Sequence, residues 1–294
     1  MPSLAANLLR AQIALLNPLI NALDITKMRK LQEALGKLQQ KTLSNKVDFF
    51  DVPEIRSSWA IPENKANDGC FIYLHGGSYT AGGENYAKGF GGTLADNISS
   101  PVLCVDYSLA PETPFPLGLY DAVLAYKTAL EDYIPQKIAL IGESAGGGLC
   151  FALLQKLREL NIPLPKCTIV ISPWMDLTME NIDPPDVESD LLLNKQCLLF
   201  SAKCYAEDES LSNPLISPIF GDLKGFPDTL IFAGSDEILL NDSVRLNEKL
   251  LELGVNSTLH MEEGLWHAYV LYGLPESKKA INIIKTFFTE QIIG

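Results

Sequence analysis

Residues 138–160 read as strand, sharp turn and helix with nothing between them. The apolar run Ile138-Ala139-Leu140-Ile141 leads into Gly142-Glu143-Ser144-Ala145-Gly146. Gly147 and Gly148 then open a helix-like stretch to about residue 160. So tight a turn needs glycines, which tolerate backbone angles closed to other residues. Placed between strand and helix, G-x-S-x-G lifts its central serine above the sheet edge. The first N–H groups of the following helix have no partner inside it and favour negative charge. A serine hydroxyl is a weak nucleophile until a base takes its proton, and this turn leaves it open to one. The pentapeptide also reads as a Gly-rich helix start capped by a serine, so the rest of the chain has to decide.

Short apolar strands are expected at 46–50, 57–61, 70–74, 102–106, 138–141, 167–171, 229–232 and 257–261. Helices are expected at 84–98, 117–133, 145–160, 241–253 and 277–292. Strands that alternate with helices build an α/β fold, a mainly parallel eight-stranded sheet flanked by helices. The two earliest strands are expected as an antiparallel pair. Residues 1–45 read as two helices, parted near Asn17-Pro18 or Asp24, with Leu31, Leu35 and Leu38 at helical spacing. Residues 46–294 form the main domain. Its alternation breaks once, at about 177–217, between Asp176 and Pro218. That insertion carries Asp183-Pro184-Pro185-Asp186, an apolar helix-like run over 191–205, and the acidic Glu207-Asp208-Glu209. The apolar run must pack on something, which predicts a helical layer over the C-terminal edge of the sheet.

The 294 residues are 47% hydrophobic and 20% charged, a globular composition. A formal charge of −13 argues against nucleic acid and against anionic membrane surfaces as partners. No apolar run approaches the length of a membrane span, so stable membrane insertion is not expected. The apolar N-terminus lacks a basic leader and reads as an amphipathic helix rather than a signal peptide. The six cysteines form no C-x-x-C pair and several fall in predicted core strands. They read as buried free thiols of a reducing compartment, hence a cytoplasmic protein, and no metal site is expected from them.

Acyl transfer at a serine needs a base, a carboxylate to orient it and donors for the oxyanion. The chain has three histidines. His260 falls in the middle of the last strand and reads as structural. His267, in Gly264-Leu265-Trp266-His267-Ala268 just past that strand, can reach over the sheet edge and is the expected base. The preceding strand leaves through Gly234-Ser235-Asp236-Glu237. Asp236 is the expected orienting carboxylate, with Glu237 and Asp242 as competitors. Ser144, Asp236 and His267 then follow in the chain order of an α/β-hydrolase. The strand at 70–74 ends in His75-Gly76-Gly77-Ser78-Tyr79, where bare backbone can approach a carbonyl. Gly76, Gly77 and Ala145 are the expected oxyanion donors, with His75 shaping the loop.

The ordered set His75-Gly76-Gly77, Asp106-Tyr107-Ser108-Leu109-Ala110-Pro111-Glu112, Gly142-Glu143-Ser144-Ala145-Gly146, Ser172-Pro173-Trp174-Met175-Asp176-Leu177, and the Asp236 and His267 segments resembles the hormone-sensitive-lipase branch of the α/β-hydrolases, over roughly residues 46–294. That family includes bacterial carboxylesterases and acetyl esterases. The resemblance implies a cap built from the N-terminal helices and the insertion. It also implies hydrolysis of small esters with short to medium acyl chains, without a cofactor, and a place in lipid metabolism. Members often pair, so it admits a homodimer. Two positions depart from the family pattern: Ser78 stands where a third loop glycine is usual, and Glu143 where aspartate is frequent. Tyr79, Trp174 and Tyr205 are candidate walls of the substrate pocket, with Trp59 and Phe220 as others. An amidase or peptidase on the same fold, or a ligand receptor on a retired hydrolase scaffold, are the alternatives.

Overall fold

The computed structural model describes residues 1–21, 23–43, 46–181 and 190–293. Eight strands form one sheet: β1 (Val47–Val52), β2 (Ser57–Pro62), β3 (Cys70–Leu74), β4 (Val102–Val105), β5 (Ile138–Glu143), β6 (Cys167–Ile171), β7 (Asp228–Gly234) and β8 (Ser257–Glu262). Their spatial order is β1-β2-β4-β3-β5-β6-β7-β8. From β4 to β8 all neighbours are parallel. β1 pairs antiparallel with β2 as expected, and β2 is also antiparallel to β4.

The central strands are buried on both faces, which is why they read as unbroken apolar runs. In β3, Cys70, Ile72 and Leu74 enter one core layer while Phe71 and Tyr73 enter the other, the period of two that a strand imposes. Helices α4 (Leu117–Asp132), α5 (Ala145–Glu159) and α7 (Leu240–Glu252) cover the first layer. Helices α3 (Glu84–Ile98) and α8 (Pro275–Ile293) cover the second. Packing is tightest where α5 meets the end of β3. A side chain on Gly146 would overlap the carbonyls of Leu74 and His75. Glycine there brings the turn at Ser144 beside the His75-Gly76-Gly77 loop.

The N-terminal segment forms α1 (Leu4–Asn21) and α2 (Ile25–Thr42), with Pro18 inside α1 rather than ending it. The break falls at Asp24, whose side chain accepts the Lys27 N–H and caps α2. Within the insertion, α6 (Lys195–Ala206) begins later than the apolar pattern predicts. Asn194 caps it, accepting from Gln196 and Cys197, and residues 191–193 are drawn into a turn by Asp190, which accepts the Leu192 and Leu193 N–H groups. The Asp183–Asp186 stretch and residues 44 and 45 lie outside the described residues.

Candidate active site

Ser144 joins β5 to α5 at φ +54° and ψ −122°, a conformation that side chains rarely adopt. It is held on both sides. Its N–H donates to the Ile171 carbonyl at 2.9 Å, and its own carbonyl accepts from Gly147, Gly148 and Trp174. Such a conformation persists only where the surroundings fix it.

His267 lies in the loop after β8 and is buried. Desolvation holds its imidazole well below the ordinary value, so it is neutral, and its Nδ1 has no hydrogen-bond partner among the described residues. The carboxylate facing it is not that of Asp236. Glu237 Oε2 lies 3.8 Å from His267 Nδ1, and the Glu237 side chain is fully buried. Glu237 Oε2 also accepts from the Ser172 hydroxyl at 2.6 Å and from the Gly234 N–H at 3.3 Å. Ser172 Oγ in turn accepts the Ala268 N–H at 2.9 Å, joining the loops after β7 and β8. Asp236 points the other way. Its Oδ2 accepts from Arg10 Nη2 at 2.7 Å and its Oδ1 from Ser235, with 30% of its side chain exposed. The expectation of Asp236 as orienting carboxylate therefore fails on direction, because adjacent residues leaving a strand face opposite sides. The signal for Glu237 was the apolar run Ile238-Leu239-Leu240 behind it, which draws that side of the turn into the core. Asp242, the other competitor, is occupied by the Met175 and Asp176 N–H groups. His260 sits in β8 stacked on Phe232, as a structural residue would.

The loop His75-Gly76-Gly77, expected to supply oxyanion donors, departs from expectation at one position. The Gly76 N–H donates to Glu143 Oε1 at 2.6 Å and so does not face substrate. Gly77 and Ser78 follow with φ of +117° and +54°. Their N–H groups, and that of Ala145 at the start of α5, donate to no described residue. The loop and the start of α5 thus carry three N–H groups without an acceptor among the described residues. His75 shapes this loop: its Nδ1–H donates to the Gly76 carbonyl at 2.7 Å, and its ring stacks on Tyr107. Burial pushes His75 down to about 4, so it is neutral.

Tyr79 and Tyr205 stack with ring centroids 3.9 Å apart. Phe115 lies edge-on to Tyr205, and Trp174 is 6.1 Å from Tyr79. The Trp174 N–H donates to the Ser144 carbonyl, so this aromatic block borders the nucleophile. Trp59 packs instead on Tyr133, and Phe220 is exposed. A groove of about 690 Å³ between β8 and α8, lined by Thr258, His260, Lys279 and Ile283 among others, touches none of the candidate catalytic residues. Among the described residues no cluster of His, Cys, Asp or Glu could hold a metal. No described helix is long and apolar enough to cross a membrane.

The N-terminal helices reach this end of the sheet from two sides. In α1, Arg10 bonds both Asp236 and the Gly264 carbonyl, and its guanidinium lies over Trp266. In α2, Arg29 donates to the Thr80 and Ala110 carbonyls and pairs with Glu112 through two bonds. From α6, Ser201 meets Thr80 at 3.2 Å.

Residues 71–271 match a family described as alpha/beta hydrolase fold. The chain is 35% identical over 263 residues to an acetyl-hydrolase of Streptomyces hygroscopicus, covering 88% of this chain and 86% of the relative. It is 34% identical over 224 residues to an esterase of Acinetobacter venetianus, covering 74% of each. The crystal structure of an esterase from the bacterial hormone-sensitive lipase family superposes with a TM-score of 0.89 at 31% identity, covering 96% of this chain and 98% of that one. The chain belongs to the α/β-hydrolases, in their hormone-sensitive-lipase-like branch, and is an enzyme of the carboxylesterase type.

Proposed function

We propose that the protein hydrolyses small carboxylic esters with short to medium acyl chains through an acyl-enzyme on Ser144. The observation that carries this reading is the Ser144 turn, a strained serine between β5 and α5 beside undonated N–H groups. His267 takes the Ser144 proton as Oγ attacks the acyl carbon. The oxyanion is held by the N–H groups of Gly77, Ser78 and Ala145. Collapse breaks the ester bond, and His267 gives its proton to the departing alcohol. Water then enters, His267 deprotonates it, and the carboxylic acid leaves with Ser144 restored.

Glu237 takes the orienting role in this reading. Its distance to His267 is longer than a hydrogen bond, as catalytic contacts often are before substrate is bound. Residues 1–45 and about 177–217 act as the cap over the site. The Tyr79–Tyr205 stack fills one side of the pocket and supports a short acyl group. The acetyl-hydrolase relative points the same way. The six cysteines, all free, support a cytoplasmic setting.

The test is Ser144→Ala with p-nitrophenyl acetate and butyrate. Folding should be retained and turnover lost, and a fluorophosphonate probe should label wild-type protein at Ser144 only. Normal turnover in that variant, or labelling elsewhere, would overturn the assignment.

A further inference from the structure

Glu143 is the variable residue of the G-x-S-x-G turn, and the reaction described above gives it no work. It lies at the end of β5, fully enclosed. Its Oε1 accepts the Gly76 N–H at 2.6 Å and the Tyr86 hydroxyl at 3.3 Å, while Oε2 has no hydrogen-bond partner among the described residues. A buried carboxyl with one free oxygen is costly, so its contact with Gly76 calls for an explanation.

Gly76 is the hinge between β3 and the oxyanion loop. Both of its polar groups are held by side chains, the N–H by Glu143 and the carbonyl by the His75 ring. Beyond it the backbone turns through positive φ at Gly77, Ser78 and Tyr79. The loop closes when Thr80 and Ala81 donate back to the Gly77 carbonyl. Inside that closed loop the orientation of the Gly77 and Ser78 N–H groups is set by the Gly76 peptide plane. That plane lies against the nucleophile, since a methyl on Gly76 would come within 3.1 Å of Ser144 Cβ.

We propose that Glu143 is a positioning residue of the oxyanion loop: its Oε1 fixes the Gly76 N–H so that the next two N–H groups face the acyl oxygen on Ser144. This deepens the esterase reading and rests on it. Burial pushes the carboxyl up to about 8, so near neutral pH the uncharged acid is well populated, with Oε1 still accepting. That keeps a full negative charge away from the developing oxyanion. The titratable groups around it are Tyr73 from β3, Tyr86 from α3, Tyr107 from the loop after β4 and Cys150 from α5, all of them raised by burial and neutral in the same range.

Three variants test this on p-nitrophenyl acetate, each checked for native circular dichroism and melting. E143M keeps the volume and removes the acceptor, E143A removes both, and E143Q reproduces the neutral acceptor. Displaced oxyanion donors cost on the order of 10²-fold in kcat. E143M and E143A should lose about that much, with KM changed less than about threefold, and E143Q should restore most of it. The Ki of a trifluoromethyl ketone, which forms the same tetrahedral oxyanion on Ser144, should weaken in parallel with kcat/KM. Folded E143M or E143A with wild-type kcat would overturn the proposal. So would E143Q falling as far as E143M with Ki unmoved. If wild-type protein is neither labelled at Ser144 nor active on any ester, the esterase reading itself fails; if it is labelled and active, only the role of Glu143 is at stake.

Discussion

Arg10 and Asp236 are joined at 2.7 Å, tying the first helix of the chain to the loop that follows β7. The same guanidinium nitrogen donates to the Gly264 carbonyl in the His267 loop, and the group covers Trp266. One side chain of the N-terminal segment therefore clamps the loops after β7 and β8 together. Both partners are about one-third exposed, so the pair is screened and its energy modest. R10Q should cost about 1 kcal/mol in stability. It should speed protease cleavage within residues 1–21 and raise KM more than it lowers kcat. Unchanged cleavage and KM would show that α1 is held without the Arg10 clamp.

Ser172 links the same two loops from below, donating to Glu237 and accepting from Ala268. S172A leaves two buried polar groups each short of a partner, a loss of about 2 kcal/mol. Because the carboxylate then loses its fixed direction, kcat should fall on the order of tenfold with KM nearly constant. Steady-state kinetics with a melting curve check both; a stability loss without a kcat effect would make Ser172 purely structural.

The architecture was legible because it rests on patterns with a clear period. The runs at 70–74 and 167–171 coincide with β3 and β6, and the helix expected at 84–98 with α3. The strand-turn-helix at Ser144 was equally plain. What escaped were choices between neighbours. Asp236 and Glu237 differ by one position, and only the direction of the loop decides which meets His267. The Gly76 N–H likewise is not free, because a side chain distant in sequence, Glu143, claims it. Such contacts depend on tertiary approach, which no local pattern encodes.

Glu143 also makes a prediction for stability against pH. Its folded pKa is raised from 4.5 to about 8. The folded state then holds a proton that the unfolded state has released, so the stabilising contribution is complete below about pH 4.5 and is lost as pH rises through 8. Burial raises Glu237 too, against the Ser172 and Gly234 donors that favour its ionised form, and acts in the same sense. His75 and His267, both lowered by burial, act oppositely: their contribution is complete above about 6.5 and is lost as pH falls. Wild-type protein should melt lower at pH 9 than at pH 6. E143Q should lessen that fall, its Tm rising relative to wild type between pH 5 and 9. Parallel Tm curves would contradict a titrating Glu143.

The Tyr79–Tyr205 stack predicts the acyl preference. Each methylene that finds room in an apolar pocket contributes about 0.8 kcal/mol, roughly fourfold in rate constant. With the stack in place, kcat/KM should fall beyond butyrate. Y205L opens that side for about 2 kcal/mol of stability and should move the optimum to hexanoate or longer. A series of p-nitrophenyl esters reads it directly, and an unmoved optimum would place the acyl group elsewhere.

Which carboxylate serves His267 is decided by kcat/KM of E237Q and D236N on p-nitrophenyl acetate, measured side by side. Glu237 is buried against the imidazole, so E237Q should lose on the order of 10²- to 10⁴-fold while remaining folded. Asp236 faces Arg10 at the surface, so D236N should stay within about threefold of wild type. A collapse of D236N beside an active E237Q would contradict the account.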